Sequence, residues 1–259
     1  MKIATWNVNS LRVRLPQLEL WLAATQPDVL CLQETKVRDA DFPVEAFSAL
    51  GYQVVFHGQP SYNGVAIAAR GTLTDVSAGL EGFVDEQCRC LSASYQGLRV
   101  ASLYVPNGTA LESPRYPYKI EWLRALRAQT EQWLSRYPAL VLAGDFNIAP
   151  EDRDVYDPKA WEGSVLVSEP ERAAFREVLA LGLTDALRAL GGDDCGFTWW
   201  DYRAGGFRRD QGLRIDHILL SDALRSAGRA CSVDREARAH ARPSDHAPVV
   251  VELAWPASA

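Results

Sequence analysis

Three short stretches far apart in the chain share a composition: Trp6-Asn7-Val8-Asn9, Gly144-Asp145-Phe146-Asn147 and Pro243-Ser244-Asp245-His246. Each borders an apolar run that reads as a buried β-strand, so carboxamides, carboxylates and an imidazole collect at strand ends. Gln33-Glu34-Thr35 and Arg214-Ile215-Asp216 repeat the pattern. Polar groups crowded in this way cost desolvation free energy unless they pair or hold a cation. The economical chemistry is one site that binds a hard divalent metal ion and hydrolyses a phosphate ester.

Residue types assign expected roles. A hard ion such as Mg²⁺ takes oxygen ligands, keeps several waters and needs only one or two carboxylates besides the substrate phosphate. Glu34, at the end of an apolar strand, is the leading carboxylate, with Asp245, Asn7 and Asn9 around it. The competing reading is that Glu34 caps a helix or pairs with Lys36. Asp145 and Asn147, two apart on an extended segment, point the same way. An Asp there can deprotonate a water, and an Asn can donate to a phosphoryl oxygen. Without a metal, the same pair would be an Asx-turn closing a strand. His246, beside Asp245, can be fixed in tautomer by a carboxylate such as Asp216 and then stabilise transition-state charge. The segment Phe197 to Arg209 mixes aromatics, glycines and arginines, which suits packing on sugar or base and holding phosphates. Trp199 and Trp200 should face opposite ways there, one of them buried.

Elements that could place these groups follow from hydrophobic spacing. Strands are expected at Lys2 to Asn7, Val29 to Gln33, Tyr52 to Phe56, Gly64 to Ala69, Leu98 to Tyr104, Ala139 to Ala143, Leu213 to Leu220 and Pro248 to Leu253. A first helix carries Leu11, Leu15, Leu18 and Leu22 on one stripe; Asn9 and Ser10 can cap it, and Pro16 suggests a later true first turn. Further helices are expected over Pro117 to Arg136 and Pro170 to Leu181, the latter starting with acids and stopping at Gly182. Two sheets packed face to face with helices outside fit this order, as one domain spanning 1–259.

Bulk properties narrow the class. Of 259 residues, 47% are hydrophobic and 23% charged, as in an ordinary globular protein. No apolar run is long enough to span a bilayer, and the first residues lack the apolar core of a signal peptide, so a cytoplasmic protein without a membrane partner is expected. Five cysteines (Cys31, Cys88, Cys90, Cys195 and Cys231) without a CxxC pair support neither a disulfide framework nor a zinc ribbon. The formal net charge of −6 argues against nonspecific coating of nucleic acid but not against an enzyme with one basic face.

Taken together, these segments, with Tyr104-Val105-Pro106-Asn107-Gly108 and Trp199-Trp200-Asp201-Tyr202-Arg203, resemble the exonuclease III / AP endonuclease family of the exonuclease–endonuclease–phosphatase superfamily over nearly the whole chain. The resemblance implies a four-layered α/β sandwich of the DNase I-like kind, two mixed β-sheets flanked by helices. It implies a Mg²⁺-dependent DNA phosphodiesterase, with Mn²⁺ as substitute, acting as a monomer on double-stranded DNA at abasic sites or 3′ ends. Position by position it assigns catalysis to Tyr104, Asp145, Asn147, Asp216 and His246. It places the metal among Asn7, Glu34, Asp145, Asn147, Asp245 and His246, and DNA contacts at Asn107, Trp199, Arg203, Arg208 and Leu213. His217 stands where some relatives carry a second acid, and the loops 109–118 and 152–168 match no family pattern. The balance among abasic incision, 3′-exonuclease and 3′-phosphatase activity therefore stays open. A phosphoinositide phosphatase or sphingomyelinase-like enzyme is the alternative within the superfamily, and a catalytically silent DNA-binding module the alternative outside enzymes.

Overall fold

The computed structural model describes residues 1–192 and 196–255. The strand Lys2–Asn7 leads through the helix Leu11–Thr25 to a parallel partner, Val29–Gln33. Such strands are apolar almost throughout because both their faces are covered. Two six-stranded sheets result. The first runs in the order Gly228–Val233, Val249–Leu253, Lys2–Asn7, Val29–Gln33, Val65–Ala69 and Gln53–His57. The second runs Thr74–Ala78, Cys90–Tyr95, Leu98–Tyr104, Leu140–Asp145, Asp216–Ser221 and Leu183–Asp185. Each sheet has one parallel pair, Lys2–Asn7 with Val29–Gln33 and Leu98–Tyr104 with Leu140–Asp145, among antiparallel neighbours.

The sheets face each other across a core in which Ile3, Val29, Cys31 and Ile67 meet Leu91, Val100, Val141 and Ile218. On the outside of the first sheet, Trp6, Leu30 and Leu32 pack against Leu11, Leu18 and Leu22 of the first helix. On the outside of the second, Leu103 and Leu142 pack against Trp122 and Leu126 of the helix Arg115–Arg136 and Phe175 of the helix Glu169–Leu179. This is the helix–sheet–sheet–helix sandwich the sequence implied. Among the described residues no helix is long and apolar enough to cross a membrane. Cys31, Cys88 and Cys90 are free and buried, Cys231 is buried, and Cys195 lies outside the described residues.

Register brings the polar strand ends into line. Tyr104, Asp145 and Asp216 are direct neighbours across three strands of the second sheet. Asn7 pairs with Gln33 at the matching edge of the first. Gln33 then reaches across the interface to the Ser102 hydroxyl at 3.1 Å. Gly144 is required inside its strand, since a Cβ there would lie 1.9 Å from the Leu103 carbonyl oxygen.

Several boundaries differ from expectation for physical reasons. Pro16 lies inside the first helix, which begins at Leu11. The lost N–H is tolerated because buried Leu18, Trp21 and Leu22 anchor the following turns. Neither Asn9 nor Ser10 caps that helix by its side chain; the Asn9 amide turns instead to Asp245. The expected strand Leu213 to Leu220 is two. Gly212–Leu213 pairs with Trp199–Trp200 in a separate ribbon, and Asp216–Ser221 joins the large sheet. The break falls where Arg214 turns its side chain into a buried acidic pair. The strand Thr74–Ala78 had no apolar signal to read because it is an edge strand exposed along its length.

That acidic pair is part of a buried charge network. Arg214 donates from Nε to Asp154 at 2.7 Å and from a terminal nitrogen to Asp185 at 2.6 Å. His217 accepts at Nδ1 from Arg214 and donates from Nε2 to the Ile148 carbonyl at 2.9 Å. Burial raises both carboxyl pKa values, but Arg214 more than offsets it, so both are held below the ordinary range. A carboxyl depressed by folding contributes stability that is present above its unfolded pKa of about 3.9 and lost as pH falls through the folded value. Urea melts should therefore show stability falling as pH is lowered from about 4, where the unfolded chain binds the extra protons. In Asp185→Asn the protein should be weaker at neutral pH and lose less on acidification. An equal acid loss in that variant would remove Asp185 as a cause.

Candidate active site

Glu34, Asp145 and His246 bring ligand atoms within 4.8 Å of one another, at the edge where the two sheets meet. Asn7 joins them, donating from Nδ2 to Glu34 and to Asp145, both at 2.9 Å. One amide thus ties a carboxylate of the first sheet edge to one of the second. Behind His246, the Asp216 carboxylate takes its Nδ1 at 2.8 Å, and Nε2 faces Asp145 at 3.8 Å. The loop carrying His246 is pinned by Ser244, which donates to the Asn7 carbonyl at 2.7 Å, and by Trp6, which donates to the His246 carbonyl at 3.1 Å. Glu34 itself has a left-handed backbone, φ 50°. Such geometry is uncommon for a residue with a side chain and collects at functional sites.

Charge is tuned across the cluster. Burial is the largest influence on Asp145; with Asp216 nearby and His246 opposing, its pKa rises to about 7. Burial alone would lower His246, but Asp216 and Asp145 outweigh it and lift it to about 10. The imidazole therefore carries both protons, one for Asp216 and one facing the site. Burial and then the carboxylates of Glu34 and Asp145 push Tyr104 well above the usual phenol range, so it stays a neutral donor. Glu34 is raised by burial but lowered overall by Lys36, Asn7 and His246. Its pairing with Lys36, at 2.8 Å, is real alongside its place in the cluster.

Nine of the expected residues line one cavity of about 800 Å³: Glu34, Tyr104, Asn107, Asp145, Asn147, Trp199, Arg203, Asp245 and His246. Asn7 and Asp216 are fully buried immediately behind its wall. Asp245 lines the cavity but stands apart from the tight cluster, because one oxygen accepts from Asn9 and the other from Trp199, at 2.9 and 3.0 Å. The oxygens of Asn7 and Asn147 are likewise engaged, by the Asn9 N–H and by Asn107. Among the six residues expected around a metal, Glu34 and Asp145 are thus the carboxylates a hard ion would meet first. Their oxygen chemistry and shared wall fit such an ion.

One DNA-contact expectation is corrected. Leu213 is fully buried, packed with Val155 and Ile215 beneath the ribbon, so it supports Trp199 from below and presents no surface. Arg208, the other arginine expected at the DNA beside Arg203, is exposed outside the cavity, and Arg209 lines the cavity. Trp199 and Trp200 do face opposite ways: Trp200 is fully buried and Trp199 half-buried at the cavity. The two loops without a family pattern supply the remaining wall, with Leu111 from one and Trp161 from the other. Trp161 meets Trp199 edge-on, ring centroids 6.4 Å apart. Only its aromatic character marked Trp161 in the sequence.

A two-sheet sandwich that gathers carboxylates, an imidazolium and a neutral phenol around one open cavity defines a phosphoesterase-type site. The chain belongs to the endonuclease/exonuclease/phosphatase family, whose model matches residues 4–246. Exodeoxyribonuclease III of Haemophilus influenzae is 34% identical over 98% of this chain and the full length of that protein. A 3′ phosphatase of Neisseria, solved with its product DNA hairpin, superimposes with a TM-score of 0.97 at 48% identity, covering 98% of this chain and 100% of the other. An AP endonuclease of Archaeoglobus fulgidus follows at 0.94 and 39%, covering 98% and 99%.

Proposed function

We propose that this chain is a divalent-metal-dependent DNA phosphodiesterase, acting as one domain and as a monomer, that incises at abasic sites, degrades duplexes from the 3′ end and clears blocked 3′ termini. The observation that carries the reading is the Asp216–His246–Asp145 chain set beside Glu34. A divalent ion held by Glu34 and Asp145, Mg²⁺ or Mn²⁺ in its place, would supply charge neutralisation at the scissile phosphate. The protein's own groups do the rest. Asp145, whose carboxylate lines the cavity opposite His246, can take a proton from the attacking water. His246, protonated and fixed by Asp216, and the neutral Tyr104 phenol donate to phosphoryl oxygens as charge builds. Asn147 adds an amide N–H. Trp199 and Trp161 form an aromatic wall for the terminal or abasic sugar, and Arg203 and Arg209 offer positive charge to flanking phosphates.

The test compares turnover on abasic-site, recessed-3′ and 3′-phosphate duplexes and on a phosphoinositide, with and without EDTA. Hydrolysis of DNA substrates that EDTA abolishes and added Mg²⁺ restores is the expected result. Turnover only of the lipid would move the protein to the phosphatase branch. Protection of abasic DNA without cleavage, Mg²⁺ present, would make it a binding module.

A further inference from the structure

Lys119 lies in the helix Arg115–Arg136 and is fully buried. Its ammonium has three protons and places all of them. One goes to Glu171 at the start of the helix Glu169–Leu179. The others go to the carbonyl oxygens of Asn107, at 3.1 Å, and Asn147, at 2.7 Å. The side chains of those two residues bond to each other, Asn107 Nδ2 donating to Asn147 Oδ1 at 2.9 Å. A closed ring results: one ammonium grips both backbones, and the two amides clasp above it. The second Asn147 constraint is a bond from its Nδ2 to the Val105 carbonyl at 3.0 Å. Its amide is thereby fixed, oxygen to Asn107 and one N–H to Val105, which leaves its second N–H for a phosphate.

This arrangement needs holding. Asn147 has φ 50°, a left-handed conformation that persists only where the surroundings over-determine it. A buried ion pair is by itself weak evidence for a stabilising role, because removing both charges is often neutral. The two helices already meet through Trp122, Leu126 and Phe175. Glu171, for its part, is fixed by the backbone N–H groups of Leu166 and Ser168, both at 3.0 Å, so it offers Lys119 a rigid anchor.

We propose that Lys119, anchored by Glu171, is a positioning residue for the phosphodiesterase reaction, holding Asn107 and Asn147 so that the Asn147 amide meets the reacting phosphate. The proposal rests on the reading of Asn147 given above. The test removes both charges together, Lys119→Met/Glu171→Gln, since the single change would strand a buried carboxylate. On a 3′-phosphate duplex with Mg²⁺, kcat should fall by about 100-fold, the cost of a displacement near 1 Å, with a much smaller change in KM. In an Asn147→Ala background the same pair should change kcat within about twofold, because effects that act through one group do not add. Additive losses, an unchanged kcat, or a loss confined to KM would overturn the proposal. An Asn147→Ala enzyme with full turnover would overturn the role of Asn147 and this proposal with it. A low-turnover Asn147→Ala enzyme beside a fully active pair would overturn this proposal alone. If the Met variant gives no cooperative melt, Lys119→Gln/Glu171→Gln, close in volume, carries the same comparison. Failure of both to fold assigns the pair to folding and rejects the positioning role.

Discussion

Asp145→Asn is expected to lower kcat on DNA by roughly 10²–10⁴-fold, the range lost with a general base. Equilibrium binding of duplex should persist, since the aromatic and arginine wall is untouched. The substitution keeps the size of the side chain and replaces one carboxylate oxygen by an amide nitrogen. Oδ1 now accepts the Asn147 N–H at 2.9 Å, and Oδ2 accepts from Asn7 while facing His246. An amide can serve one of these donors but cannot accept a proton from water, nor balance an imidazolium held by Asp216. Single-turnover cleavage alongside a binding isotherm separates the two effects. Retention of turnover within tenfold of the wild type would take the base role from Asp145.

Arg214→Met should be the most destabilising single change outside the site. It leaves the Asp154 and Asp185 carboxylates without the guanidinium that both of them share, in a region where Arg214 itself is 1% exposed. Breaking a buried pair from one side costs about 3–5 kcal/mol. For a protein of this size that lowers the melting temperature by roughly 10 °C. Arg214→Lys should recover only part, because a point charge cannot reach two carboxylates with a planar fork. The loss should also reach catalysis, since the network ends on the Ile148 carbonyl through His217. A melting temperature unchanged by the Met substitution would show that Arg188, which also contacts Asp154, suffices.

What could be read in the sequence was the part written in contrast. Glu34, Asp145 and Asp216 stand out because each interrupts or follows an apolar strand, where an ionised group is costly without a reason. The same logic found His246 beside Asp245 and put forward Asp216 as the carboxylate on its ring, where the bond is 2.8 Å long. Lys119 escaped. Between Tyr118 and Ile120 on an amphipathic helix it looks like any solvated lysine, and its partner lies 52 residues away. Glu171 reads as part of a capping box with Ser168, which it is, and that local explanation hides its second bond. Leu213 was placed at the DNA by the family resemblance, while its apolar strand reading pointed inward, where the structure buries it. Breaking the run at Arg214 required knowing where Asp154 and Asp185 would be.

The bond from Asn7 to Asp145 spans 138 residues, and Trp6 holds the backbone of His246 across 240. A polypeptide still emerging from the ribosome cannot complete these contacts until residue 246 has been made. A product of translation interrupted before His246 would thus lack the imidazole of the cluster, and the cutting power with it.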